Sequence, residues 1–142
     1  MSSTEKRANI LEKLAIKDKM AVNRARQSLL LVEEEISQKE QMKTQLETLL
    51  EEHKQKEIQH SSQSLHSASW FNTKIRDQLE MIEAGLKQLR VEKDRLTAEL
   101  VMAEQKRTRK QDRADELKTI ARAERQARAD QQTAELVASR RR

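Results

Sequence analysis

The chain has 142 residues, a net charge of +5, no proline, no cysteine and a single glycine, and charged residues make up 37% of it against 1% for aromatics. So few turn formers and so little aromatic bulk exclude a compact sheet or a many-turned bundle around a large core. The absence of cysteine excludes a disulfide framework and a thiolate zinc site.

The chain opens MSSTEKRANILEKL, which has no apolar run of signal-peptide length, and nowhere do about 18 apolar residues stand together. A cytoplasmic protein is therefore expected, with no direct membrane insertion. Ser2 followed by Glu5 has the spacing of a capping box, which would satisfy free amide donors at a helix N-terminus. Alternate steps of four and three then run Leu11, Ala15, Asp18, Val22, Ala25, Leu29, Val32, Ile36, Lys39, Lys43, Leu46 and Leu50, with Leu14, Met42 and Leu49 beside them. An average spacing of 3.5 residues keeps one narrow stripe facing a partner helix along a left-handed supercoil. The spacing predicts helix 1 over about residues 4–59.

HSSQSLHSASWF, residues 60–71, carries no acid, Lys or Arg, and it ends in the chain's only Trp and only Phe. Serine hydroxyls compete with helical hydrogen bonds, so the segment 60–70 is expected to be the apex, with Ser67, Ser69 or Asn72 capping the next helix. Helix 2 is predicted over about 71–138. Its stripe runs Ile75, Leu79, Ile82, Leu86, Leu89, Lys93, Leu96, Leu100, Ala103, Arg107, Lys110, Ala114, Leu117 and Ala121. Folding at the serines gives an all-α fold of two long helices in an antiparallel coiled-coil hairpin, in which Leu117 comes near Lys13 and Leu86 near Thr44. Lys39, Lys43, Lys93, Arg107 and Lys110 fall on the seam, where long side chains must snorkel, and much of the rest is alanine. A thin hairpin of low stability per turn is expected.

Charge is uneven. From Lys106 to Arg142 there are 12 Lys/Arg against 6 Asp/Glu, whereas the preceding residues hold 17 and 18. Helix 2 is longer than helix 1, so its closing residues are expected to form a basic overhang. That end reads as a solvated face, as a site for an acidic protein partner, or as a nucleic-acid arm. Asp112, Asp115, Glu116, Glu124 and Asp130 interrupt the positive charge and no aromatics are there to stack on bases, which argues against nucleic acid.

Catalysis has little support, because there is no Gly-rich phosphate loop, no Cys nucleophile and no HExxH. His53, His60 and His66 could gather near the apex as metal ligands, but solvated apex residues are the expected reading, with no metal or other cofactor. Trp70 and Phe71 either fill the hairpin tip or serve as a docking point.

The stretch SASWFNTKIRDQLEMIEAGL and the ending RQARADQQTAELVASRRR, on a chain of this length and composition, resemble the FliJ/YscO (SctO) family. These are central-stalk proteins of flagellar and virulence type III secretion. The resemblance covers most of the chain. Its closing pattern falls on Gln131, Gln132, Glu135, Leu136, Ala138 and Arg140. It implies a non-enzymatic stalk whose joined termini bind a hexameric export ATPase, through Arg122, Arg125, Arg128, Arg140, Arg141 and Arg142 on this chain. It further implies that the apex binds the cytoplasmic domain of an export gate. The residues for that contact are Trp70, Phe71, Ile75, Leu79, Ile82 and Leu86. Export chaperones are further implied partners, and the place is peripheral to an inner-membrane export apparatus. Flagellar and virulence systems both stay open. A structural coiled-coil adaptor or homodimeric scaffold, and a nucleic-acid-binding helical arm, are the rival readings.

Overall fold

A computed structural model describes residues 2–56 and 62–141. Helix α1 spans Ser3–Lys56 and helix α2 spans Ser62–Arg140. Among the described residues there is no strand, and the fold is an all-α helical hairpin. Strong helix formers and the absence of proline let both helices run uninterrupted.

The chain divides into a terminal unit, Met1–Arg24 with Glu99–Arg142, and a middle unit, Ala25–Ala98. In the terminal unit, Ala8, Ala15 and Val22 of α1 and Ala114, Leu117 and Ala121 of α2 are buried. Acids on α1 meet bases on α2 in an antiparallel order. Glu5 pairs with Arg125, Glu12 with Lys118, and Asp18 Oδ2 lies 2.7 Å from Lys110 Nζ. Ser2 Oγ accepts a hydrogen bond from the Glu5 amide at 3.2 Å, so the serine half of the expected cap is in place. Glu5 itself turns its carboxylate to Arg125.

In the middle unit the buried residues are larger. Ile75, Ile82, Leu86 and Leu96 pack toward α1, together with Ala68. The seam's lysines find partners. Lys43 Nζ is 3.1 Å from a Glu83 oxygen, and Lys93 Nζ is 3.8 Å from one of Glu33. The Lys39 stem lies over Gly85, with Cε 3.5 Å from where a β-carbon would sit. Arg90 and Glu40 pair at 3.4 Å on the flank of the seam. Also on the surface, Arg95 donates hydrogen bonds to Glu92 and holds that carboxyl below the usual carboxylate range.

All twelve seam positions expected on α1 and all fourteen on α2 are buried or half-buried. The helix boundaries differ from expectation. Helix α1 ends at Lys56 rather than near 59, and α2 starts at Ser62 rather than 71. Residues 62–70, read as apex, are therefore helical, and Ser67, Ser69 and Asn72 lie inside α2 instead of capping it. The stripe explains this, since stepping back from Ile75 by four and three reaches Phe71 and Ala68, and Ala68 is buried. Burying that row outweighs the serines' weak preference against helix, which is only about 0.5 kcal/mol each relative to alanine. Within this stretch the Thr73 hydroxyl bonds back to the Ser69 carbonyl at 2.9 Å, a bond compatible with helix. The first residues of the expected apex, 60 and 61, with His60, lie outside the described residues.

Candidate interaction surfaces

Neighbouring residues on a helix point about 100° apart, at 3.6 residues per turn. Trp70 and Phe71 consequently separate. Phe71 turns to α1 and stacks on His53, with ring centroids 4.5 Å apart and planes inclined by 29°. Trp70 turns outward and stays 62% exposed, with Lys74 Nζ 5.6 Å from the ring centroid. One ring of the aromatic pair thus fills space between the helices and the other is exposed to solvent. Leu65, five residues before Trp70, is exposed as well.

Ile75, Leu79, Ile82 and Leu86 lie along the seam. Ile75, Ile82 and Leu86 are buried and Leu79 is half-buried. These side chains face α1, so a partner that touches them must first part the two helices. His53 is engaged with Phe71 and His66 is exposed. Among the described residues no three His, Cys, Asp or Glu side chains cluster as a metal site would require. Nor, among them, is any helix long and apolar enough to cross a membrane.

In the terminal unit, Arg122, Arg125, Arg128, Arg140 and Arg141 are exposed, and Arg142 lies outside the described residues. Arg125 is tied to Glu5, and Arg128 lines a shallow cleft with Ser2, Glu5, Ala121 and Glu124. From Arg125 to Arg141 every residue is exposed, Leu136 and Val137 included. Arg140 in the last turn of α2 complements the partial negative charge of the helix end.

One surface escaped the sequence reading. Met42, Leu46 and Leu49 of α1 and Met81 and Ile82 of α2 line an apolar groove in the middle unit. Met42, Leu49 and Met81 each stand directly before a stripe residue, Lys43, Leu50 and Ile82. A signal was present: Met42 and Leu49 are seven residues apart, a second weak row on one flank of the seam. Compared with family models, with curated proteins and with solved structures, the chain has no match.

Proposed function

We propose that this chain is the non-enzymatic central stalk of a type III protein secretion export apparatus. Its joined termini bind the hexameric export ATPase, its tip and the start of α2 bind the cytoplasmic domain of the export gate, and export chaperones are further partners. The observation that carries the reading is the all-α hairpin with an exposed, arginine-bearing helix, residues 125–141, beside the paired N-terminus of α1. It is the fold that the family resemblance implies. An exposed basic helix is suited to an acidic or amide-lined ring interior, by Coulomb attraction that weakens with salt. At the other site, exposed Trp70 offers first contact with the gate, and the seam row Ile75–Leu79–Ile82–Leu86 offers area once the helices part.

The test is co-purification with the ATPase at low salt. Arg140→Glu combined with Arg141→Glu is expected to weaken it, and unchanged recovery would count against the reading. The double change Ile75→Asp with Leu79→Asp is expected to weaken gate binding or open the tip. Intact helicity together with intact secretion in that variant would defeat the gate assignment.

A structural coiled-coil adaptor or homodimeric scaffold is the second reading, favoured by the exposed Met42, Leu49 and Met81. Retention on a phosphate-bearing column at moderate salt would instead favour the nucleic-acid arm.

A further inference from the structure

The two flanks of the middle unit's seam differ in chemistry. Residues just after the seam positions on one flank are charged: Glu40 and Glu47 on α1, Glu83 and Arg90 on α2. There Arg90 meets Glu40, and Glu83 takes the ammonium of Lys43. On the other flank, the residues just before the seam positions Lys43, Leu50, Leu79 and Leu86 are Met42 and Leu49 on α1 and Gln78 and Gly85 on α2, with Glu35 and Glu92 farther along it. Gly85 contributes no side chain, and Lys39 is the one charged side chain among those lining the groove there. Met81 at its edge is 75% exposed, Met42 51% and Leu49 44%. Four glutamines, Gln38, Gln45, Gln78 and Gln88, are spaced along this same flank.

We infer that this groove is the contact surface for a second copy of the same chain, joined about a two-fold axis. Such an interface places each patch against its own image, so it needs a surface complementary to itself. Rows of carboxylates or ammonium groups repel their image. Glutamine amides carry both donors and an acceptor and can pair with theirs. The apolar floor meets its like as well, and methionines at both edges adjust to small mismatches in shape. On the charged flank Glu40, Arg90 and Glu83 already have ionic partners within the chain, and the terminal unit's groove near Met102 carries Asp18, Glu99 and Lys106. The middle groove combines an apolar floor, uncharged Met and Gln edges and exposure on both helices. The inference does not depend on the export reading.

Sedimentation equilibrium of the full chain tests it. The expected mass is twice the 16.6 kDa of one chain. Met42→Glu on α1 and Met81→Glu on α2 should each return the mass to that of one chain while leaving helicity by circular dichroism unchanged, since both side chains are exposed. Glu47→Gln on the charged flank should keep the doubled mass. A single-chain mass at every concentration up to about 100 μM, well above a micromolar Kd, would overturn the inference. So would a doubled mass that survives both methionine changes, or one that is lost equally with Glu47→Gln.

Discussion

The terminal and middle units share one seam spacing but hold their helices together differently. In the terminal unit the buried positions are mostly alanine, and acids of α1 reach across to bases of α2 at Glu5, Glu12 and Asp18. In the middle unit Ile75, Ile82, Leu86 and Leu96 supply the area, and lysines on the seam bend to acids or lie over Gly85. Apolar burial is worth about 0.8 kcal/mol per buried methylene, whereas partly exposed ion pairs contribute about 0.2–1 kcal/mol each. The comparison teaches that an unvarying hydrophobic spacing does not imply uniform stability. The middle unit rests on area, the terminal unit on close approach and charge.

The largest way to break the comparison is Leu86→Ala. Leu86 is 1% exposed, so the change should cost about 2–4 kcal/mol, visible as a lower denaturant midpoint and faster amide exchange in the middle unit. A cost below about 1 kcal/mol would show that area does not govern that unit. In the terminal unit the converse change, Ala114→Leu, overfills a fully buried site and should cost about 1–3 kcal/mol. A gain in stability would mean that the alanine seam is merely underpacked.

Asp18→Ala should cost about 1 kcal/mol by leaving the partly buried Lys110 without its carboxylate. Added salt should shrink the difference between this variant and the parent, and a salt-independent gap would remove charge from the account. The smallest change is a gain. Gly85→Ala places a β-carbon in ordinary contact with the Lys39 stem and removes a helix-interior glycine, so stability should rise by about 0.5–1 kcal/mol. Thermal denaturation would report it, and a loss would show that Lys39 has no room to give.

Every residue of both predicted stripes lies at the interface, because a 3.5-residue period on two good helix formers leaves one face to bury. The pairing order was equally legible, as Glu12 with Lys118 sits beside the expected Lys13–Leu117 neighbours. The start of α2 was not. Serines at 62, 64, 67 and 69 read locally as a loop, and only the burial of Ala68 and the Phe71–His53 stack outweigh that preference. The arginine cluster was legible as charge. That Arg125 is already engaged by Glu5 depends on a residue 120 positions away.

By itself, then, the sequence determined two helices, their shared face and their antiparallel order, since periodicity and charge are properties of a line of residues. Tertiary structure alone decided which aromatic ring is covered and which is offered to solvent. It also decided that Met81 joins Met42 and Leu49 in one groove. Such choices depend on how far each residue sits around its helix from the contact line. The second helix's position sets that angle, and neither helix encodes it alone.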